Sequence, residues 1–354
     1  MDISQKISFD FQTTQRLINI ISRIDVFKGG WTAVEIKENV YLKELRRIAT
    51  IESIGSSTRI EGAALSNQEV KELLDNIKIT KLTSRDQQEV IGYYETLEMI
   101  YDAWEDITLS ENNIKSLHSS LLKHSDKDAR HKGNYKQLSN QVVATYPDGS
   151  QRLIFKTTEP HLVQKEMEDL LLWTNHALGS KEIHPLIVIG TFVYEFLSIH
   201  PFQDGNGRLS RLLTTLLLLR SEYPFVKYVS FENLIEQRKS EYYRALMDGQ
   251  QNRYSEKERV DSWLLFFLEA VETLTKRLEA KYNVYKSKGG YLNDRQKTVM
   301  SFIREHQPVK VGDISRAFPE YSVNTIKKDL LYMKTEQLIN TVGAGKGTVY
   351  ILSE

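Results

Sequence analysis

The sequence has no cysteine among its 354 residues. This absence excludes disulfide bridges, cysteine nucleophiles and thiolate metal sites. Neither sign of charge is in excess, because 47 Lys and Arg balance 47 Asp and Glu, so no overall field favours nucleic acid or a membrane surface. No apolar run approaches the roughly 20 uncharged residues of a membrane helix. The first residues also lack the basic head and apolar core of a secretory signal, so we expect a cytoplasmic protein with no membrane partner.

The length of the chain exceeds what one hydrophobic core usually supports, so we expect two or three domains. The polar, glycine-rich stretch Lys286–Gly290 predicts a boundary. We predict a mainly α protein with a helical N-terminal region over residues 1–108, a helical core over 109–285 with a β-hairpin at about 140–157, and a third domain over 290–354. In the first region, Gly29 and Gly30 are expected to break the helical pattern.

The segment His200–Arg211 is a dense run of chemically active residue types between two apolar stretches. Residues 186–199 are apolar on nearly every helical face, which predicts a buried helix that ends before Pro201. A second buried helix is predicted from about Asn206, where the sequence becomes leucine-rich. The loop between these helices should therefore direct its polar groups outward.

The residues that open the second helix favour an anion site. Gly205 and Gly207 permit positive φ and close approach of the backbone to a ligand, and the first N–H groups of a helix carry the positive end of its dipole. Arg208 and Arg211 lie three residues apart, so both can face one anion, and guanidinium groups suit phosphate oxygens.

Two further residues of the loop complete a reactive set. Asp204 offers the hard oxygen that suits Mg²⁺ shared with substrate phosphates, and His200 offers a base that can be neutral near pH 7. Taken singly, a histidine at a helix end and an Asp-Gly-Asn-Gly turn are common structural features. Together they predict phosphoryl or nucleotidyl transfer.

The run His200–Arg211 resembles the signature of the Fic family, His-Pro-Phe-x-Asp/Glu-Gly-Asn-Gly/Lys-Arg-x-x-Arg, at every specified position. Fic proteins typically transfer AMP from ATP to a hydroxyl side chain of a target protein, on an all-α core. The resemblance implies that His200 is the general base, Asp204 the Mg²⁺ ligand and Phe202 a core anchor. It also implies nucleotide contacts from Gly205, Asn206, Gly207, Arg208, Leu209, Ser210 and Arg211.

A second motif lies well before this signature. Ser57 and Glu61 are four residues apart on one predicted helix face, and Gly62 suits a helix end. On physical grounds alone, Glu61 is most simply a solvated acid. The motif also resembles the inhibitory helix of many Fic proteins, Ser/Thr-x-x-x-Glu-Gly/Asn. The resemblance implies that Glu61 neutralises Arg211, which would otherwise bind the γ-phosphate, so we expect low activity in the wild type.

A β-hairpin is predicted where Gln141–Tyr146 and Gln151–Lys156 flank the turn at residues 147–150. It resembles the flap of Fic proteins, which aligns a target segment by strand addition. The preceding stretch 133–136 resembles the family's Gly-x-aromatic-Arg segment, although Lys136 replaces the arginine. Such pairing reads mainly backbone, so it says little about the target's identity.

Some aromatic and histidine residues outside the signature also carry predictions. The resemblance implies that an aromatic residue near the end of the core lies beside adenine, and Tyr242 is the first candidate with Tyr243 as its rival. His118 and His124 are interpreted as surface or capping residues because nothing nearby offers metal-ligand spacing.

The third domain shows three helical patterns followed by two short strands around a glycine-rich turn, which resembles a winged helix. DNA binding is one interpretation, and a protein-interaction or dimerisation module is the other. Asp329 and Glu336 weaken the basic face that phosphate contacts require. The candidate DNA contacts are Asn324, Lys327, Lys328 and Lys346.

Protein adenylylation is the function that the sequence favours, with ATP as substrate, Mg²⁺ as cofactor and a Ser, Thr or Tyr hydroxyl of a target protein, or of the chain itself, as acceptor. Two alternatives stay open. Glu61 would serve equally in the removal of AMP from proteins, and the chain would also suit a DNA-binding regulator whose Fic core senses nucleotide. A homodimer is a further open expectation.

Overall fold

The fold is described from a computed structural model of the chain. The chain divides into two compact units, Met1–Leu278 and Glu279–Glu354. The predicted boundaries at residues 108, 285 and 290 stay predictions, and most of the glycine-rich stretch lies outside the described residues. The structure describes residues 3–35, 40–77, 81–145, 151–287, 292–335, 338–343 and 345–353.

The first unit is mainly helical with one antiparallel hairpin, as predicted. Its helices and strands follow one another in this order: α1 (Ile3–Lys6), α2 (Phe11–Glu35), α3 (Val40–Ile60), α4 (Asn67–Asp75), α5 (Arg85–Ala103), α6 (Glu111–Leu121), β1 (Gln141–Thr145), β2 (Gln151–Lys156), α7 (Pro160–Ser180), α8 (Pro185–Ile199), α9 (Asn206–Arg220), α10 (Phe231–Gln237), α11 (Lys239–Gln250) and α12 (Asp261–Ser287). A 3-10 helix also spans Pro224–Tyr228. None of the described helices is both long and apolar enough to cross a membrane.

The predicted break at Gly29 and Gly30 is wrong, because α2 runs through both glycines without interruption. The next residue, Trp31, is buried and packs its ring against Phe27 and Tyr228. A glycine inside a helix costs only about 1 kcal/mol relative to alanine, so the burial of one tryptophan can offset the weak local propensity.

Helices α8 and α9 form the centre of this unit, and both are buried as predicted. Every residue of α9 except Gly207 and Arg220 is buried. His200 ends α8 in the left-handed region, with φ 53°, and its N–H donates to the carbonyl of Phe196. The chain then turns through a short loop and enters α9 at Asn206, so the loop is fixed at both ends by core helices.

The predicted hairpin is confirmed within the described residues. Strands β1 and β2 pair antiparallel, with Gln141 opposite Lys156 and Thr145 opposite Gln151, and the register shifts between Val142 and Val143. Residues 146–150, the predicted turn, lie outside the described residues.

The described residues of the second unit form three further α-helices and a second antiparallel hairpin, in the order that the sequence predicts, together with the end of α12 and a 3-10 helix at Gly345–Gly347. Ile326, Leu330 and Met333 of its third helix pack with Val299 and Ile303 of the first in one apolar core. These elements are α13 (Asp294–His306), α14 (Val311–Ala317), α15 (Val323–Thr335), β3 (Ile339–Val342) and β4 (Val349–Leu352).

One expectation about this unit is corrected. Asp329 does not weaken an exposed basic face, because its carboxylate is buried and accepts hydrogen bonds from Arg295 at 2.6 Å and from Gln296 at 3.0 Å. Its position beside Ile326 and Leu330 on the inner face of α15 explains this burial. Glu336 and the side chain of Lys346 lie outside the described residues.

Candidate functional site

The loop between α8 and α9 is held by hydrogen bonds that originate within it. The Asn206 side chain accepts a bond from the backbone N–H of Phe202 at 2.9 Å and donates one to the Phe202 carbonyl at 2.8 Å. Both polar atoms of the Asn206 amide are therefore engaged within the loop, and its backbone N–H is the group left for a ligand. Phe202 itself is fully buried, as expected of an anchor.

His200 has one ring nitrogen committed to the backbone. Its Nδ1 lies 3.2 Å from the carbonyl oxygen of Leu197, an acceptor, so Nδ1 carries the proton and Nε2 is left with a free lone pair. Burial, assisted by the nearby charge of Lys136, lowers the pKa of His200 to about 4. The ring is therefore neutral at pH 7 and able to accept a proton.

Asp204 is an anion with partners on both oxygens. Oδ1 accepts from the Gly205 N–H at 2.6 Å and from Arg208 Nη2 at 3.2 Å, while Oδ2 accepts from Lys127 Nζ at 2.9 Å. Although burial opposes it, the charges of Arg208 and Lys127 hold the pKa of Asp204 well below its usual range.

The donor set tests whether Mg²⁺ fits this site. Asp204 is a single carboxylate, and the residues that the structure describes contain no group of three or more His, Asp or Glu side chains placed to hold a metal ion. Mg²⁺ commonly binds through one or two carboxylates and completes its shell with water and substrate phosphates. The site therefore fits a Mg²⁺ ion that arrives with a nucleotide, provided that Lys127 yields Oδ2.

The two arginines of α9 take different ion-pair partners, although the charges of both lower the pKa of Glu61. Arg208 is fully buried and pairs with Glu89 of α5 and with Asp204, each at 3.2 Å. Arg211 instead points to α3. The reason is long-range, because the buried carboxylate of Glu89, on another helix, forms an ion pair with Arg208.

Arg211 is held by the motif predicted at residues 57–62. Its Nη2 donates to Glu61 Oε1 at 2.8 Å and to the Ser57 carbonyl at 3.0 Å, while Nε donates to Ser57 Oγ at 2.8 Å. Burial opposes ionisation of Glu61, but Arg211 lowers the pKa of this carboxyl below its usual value. The structure thus brings Ser57 and Glu61 into contact with Arg211, which lies about 150 residues further along the chain.

Gly207 explains how closely the carboxylate approaches α9. A Cβ at this position would overlap Glu61 Oε1, and it would also lie 3.2 Å from Arg211 Nη1. Any side chain at residue 207 would therefore collide with the glutamate. Gly62 follows with φ +106°, a conformation suited to glycine, and it turns the chain away after Glu61.

A cavity of about 230 Å³ lies over this loop. Both candidate tyrosines, Tyr242 and Tyr243, line it, so geometry does not separate them. Tyr242 is almost fully buried, and its ring meets Trp263 edge-on. Of the predicted nucleotide contacts, Arg208, Leu209 and Ser210 do not line the cavity. Its lining is Glu61, Asn140, Gln141, Val142, Val143, Phe155, Leu197, His200, Gln203, Asp204, Gly205, Asn206, Gly207, Arg211, Tyr242, Tyr243 and Leu246.

The interpretation of His118 as a surface or capping residue is wrong. It is 0% exposed, and its ring stacks on Phe202 with the ring centroids 3.8 Å apart. A signal was present in the sequence, because His118 shares the i, i+3, i+4 spacing of the apolar residues Ile114, Leu117 and Leu121 on α6. His124 is partly exposed and lies 3.0 Å from Glu95.

A family model described as the Fic/DOC family matches residues 108–218, which include the cavity loop and α9. A Fido domain-containing protein of Dictyostelium discoideum is 32% identical over 134 residues, which cover 38% of this chain and 80% of that protein. The chain belongs to the Fic/DOC family.

Other members of the Fic/DOC family extend the similarity. The protein adenylyltransferase Fic of Drosophila grimshawi is 26% identical over 256 residues, 70% of this chain and 49% of that protein. That of Drosophila melanogaster is 27% identical over 228 residues, 64% of this chain and 42% of that protein. The chain therefore spans about half the length of these relatives or less.

Two solved structures share the fold. A Fic family protein from Desulfovibrio desulfuricans has a TM-score of 0.66 and 24% identity, over 98% of this chain and 97% of that one. Fic-1 of Caenorhabditis elegans has a TM-score of 0.59 and 21% identity, over 77% of this chain and 73% of that one.

Proposed function

We propose that this protein transfers AMP from Mg-ATP to a hydroxyl side chain of a protein target, and that Glu61 holds it in a state of low activity. The observation that carries this proposal is the convergence of three groups on one cavity. These are the unprotonated Nε2 of His200, the anionic Asp204 and the N-terminus of α9. The naming of the Drosophila relatives as protein adenylyltransferases supports the same chemistry.

His200 is the proposed base. The acceptor hydroxyl oxygen attacks the α-phosphorus and forms a new P–O bond, the bond to the β-phosphate oxygen breaks, and pyrophosphate departs. The hydroxyl proton passes to Nε2 of His200, whose Nδ1–H stays bonded to the Leu197 carbonyl and keeps the ring in place. Because burial keeps His200 neutral at pH 7, this nitrogen is ready to accept the proton.

The start of α9 is the proposed phosphate site. Backbone N–H groups at Asn206 and Gly207 combine with the helix dipole to stabilise charge on the phosphates, while the Gly205 N–H is donated to Asp204 Oδ1. Asp204 would hold Mg²⁺, which would neutralise the charge on the nucleotide's phosphates when bound.

Glu61 is the proposed lock. Its carboxylate pairs with Arg211 and lies directly over Gly207, so it takes both the cationic partner and the space that a terminal phosphate needs. The ion pair is buried on the arginine side, where charge-assisted bonds are strong. Removing the carboxylate takes away the anion that neutralises Arg211, which keeps its two bonds to Ser57, and clears the space over Gly207.

The hairpin is the proposed guide for the target. Val142 and Val143 of β1 and Phe155 of β2 border the same cavity as His200. A target segment that pairs with this hairpin as an added strand would therefore pass close to the base.

The decisive experiment measures transfer of label from α-labelled ATP to cell lysate and to the protein itself. We expect labelling that is weak with wild type and strong with Glu61→Gly. Glu44→Gly, at an exposed position of α3, the helix that precedes Glu61, controls for charge removal and for the introduced glycine. Label from γ-labelled ATP, or no α-label with either the wild type or the Glu61→Gly variant, would contradict adenylyl transfer.

Removal of AMP is the second candidate function, because the anionic carboxylate of Glu61 lies in the same cavity as His200 and would orient a water there. A pre-adenylylated protein separates the two functions. Release of AMP by wild type but not by Glu61→Gln would assign removal, whereas stronger labelling by Glu61→Gly assigns transfer.

A further inference from the structure

The ring of His118 lies beneath the loop between α8 and α9 and bonds to backbone on both sides. Nε2 is 2.9 Å from the carbonyl oxygen of Asp204, which can only accept, and Nδ1 accepts from the Gly133 N–H at 2.8 Å. These two partners require the neutral tautomer with its proton on Nε2. Burial favours the same state, since it lowers the pKa of His118 to about 4.

The loop rests directly on this imidazole. The rings of His118 and Phe202 are nearly parallel, with 12° between their planes. Gly205, at φ +79°, lies so close that a Cβ there would be 3.4 Å from Nε2. The imidazole is therefore packed against the loop as well as hydrogen-bonded to it.

The second partner, Gly133, begins the segment that leads to the hairpin. Two residues later Tyr135 forms a β-bridge with Phe202, and the Lys136 N–H donates to the Pro201 carbonyl at 2.8 Å. His118 thus joins α6, the segment before the hairpin and the loop through one side chain.

A short series of bonds connects the His118 ring to the carboxylate of Asp204. The Asp204 carbonyl and the Gly205 N–H belong to one planar peptide unit, so fixing the direction of one fixes the other. That same N–H donates to Asp204 Oδ1 at 2.6 Å. The bond from His118 therefore orients the Asp204 carboxylate, although the imidazole itself does not line the cavity.

We propose that His118 is a positioning residue, whose Nε2–H bond to the Asp204 carbonyl sets the orientation of the Asp204 carboxylate and of the first N–H groups of α9 toward a bound nucleotide. The expected effect of His118 on the rate of labelling rests on the proposed adenylyl transfer. The effect on nucleotide binding does not.

Two substitutions separate the two bonds of the ring. At position 118, an asparagine amide lies about as far from the backbone as Nδ1 of the histidine and can accept from the Gly133 N–H. A glutamine amide lies about as far out as Nε2 and can donate to the Asp204 carbonyl. In the Glu61→Gly background, we expect His118→Asn to lower both kcat for labelling and Mg-ATP affinity about tenfold, as loss of an orienting partner usually does. His118→Gln should retain most of both, and KM for the target protein should not change in either.

Thermal unfolding and Mg-ATP titration calorimetry on the full chain complete the test. His184→Asn controls for loss of an Nε2 bond by a partly buried histidine, because it removes the bond to Asp25 at the opposite end of α8 and can still accept from the Leu186 N–H. If Asn and Gln lose affinity equally, or in proportion to their loss of Tm, His118 is merely structural and the proposal fails. If Glu61→Gly transfers no label at all, the proposed function fails, yet the affinity order of Asn and Gln still decides the role of His118.

A spectroscopic measurement tests the tautomer directly. In protein with ¹⁵N-labelled histidine, the signal lost in His118→Asn should show a protonated Nε2 and a bare Nδ1 at pH 7. A proton on Nδ1 would break the bond to Gly133 and overturn the proposal.

Discussion

The chain just after α3 and the start of α9 both border the cavity, and they contribute to it in different ways. Helix α9 contributes backbone, since the loop before it and its first N–H groups are fixed by Asn206, by the buried Phe202 and by the core around nearly every residue of the helix. The chain just beyond the end of α3 contributes the tip of one side chain, Glu61, which is about one-third exposed. A site made of backbone is hard to remove, whereas one carboxylate is removed by a single substitution. We therefore expect the start of α9 to be the fixed part of the proposed site and Glu61, just after α3, to be its adjustable part.

The largest effect on labelling is expected from substitution of His200, in the loop before α9. In the Glu61→Gly background, His200→Ala should lower labelling by about one hundredfold or more, because it removes the proposed general base and leaves the backbone groups of the loop intact. Quantified label from α-labelled ATP measures this. His161→Ala, an exposed histidine at the start of α7, is the control and should retain full labelling. Residual activity of more than a few per cent would remove His200 as the base.

Gly207→Ala tests the contact between the Glu61 carboxylate and the first turn of α9. With Glu61 present, the new methyl group collides with its carboxylate, so we expect the free energy of unfolding to fall by about 1 kcal/mol or more. With Glu61→Gly, the collision is gone and alanine should be neutral or stabilising by up to about 1 kcal/mol, its usual advantage over glycine in a helix. Urea unfolding of the four proteins measures the difference. Equal effects in both backgrounds would show that Glu61 does not lie over Gly207.

A smaller effect is expected from loosening α3 without touching Glu61. Arg59 donates to both carboxylate oxygens of Glu236 on α10, at 2.7 and 3.0 Å, and Lys239 donates to the Ile60 carbonyl at 3.0 Å. Such a partly exposed ion pair contributes about 1 kcal/mol or less, so Arg59→Ala should raise labelling by no more than about fivefold.

The matched control is Arg47→Ala, on the same helix, where the pair with Asp75 is more exposed and lies away from the cavity. It should leave labelling unchanged. An increase with Arg59→Ala that equals that of Glu61→Gly would mean that the whole helix, and not its one carboxylate, is the adjustable element.

The smallest effect is expected in the second unit. Lys327 and Lys328 are exposed on α15 of the second unit, whereas every group of the proposed chemistry belongs to the first, so the double substitution to alanine should leave labelling unchanged. Any salt-sensitive gel shift of DNA by the wild type should weaken in the same variant, because each lysine that contacts phosphate contributes to the salt dependence. A loss of labelling would contradict the assignment of the chemistry to α9 alone.

Much of this arrangement was predictable from local sequence. The apolar stretch before His200 and the leucines after Asn206 identify α8 and α9, because burial on all faces demands apolar residues at every helical position. The two hairpins follow from alternating strands around turn residues. These features depend on neighbours a few residues apart, so the sequence carries them directly.

The two wrong predictions, at Gly29 and Gly30 and at His118, share one cause. The helix α2 continues through Gly29 and Gly30 because Trp31 packs against Tyr228, nearly 200 residues away in the chain. His118 shows the apolar spacing of a buried helix face, yet the carbonyl that it meets belongs to Asp204. Neither partner can be inferred from residues nearby.

The sequence by itself determined the identity of the reactive groups, their order along the chain and the helices that carry them. Only the tertiary structure decided which of them meet. Arg208 and Arg211 are equivalent by spacing, but one pairs with Glu89 and the other with Glu61. The physical reason is that ion pairs and hydrogen bonds act over a few ångströms, so the choice of partner depends on how distant helices pack together.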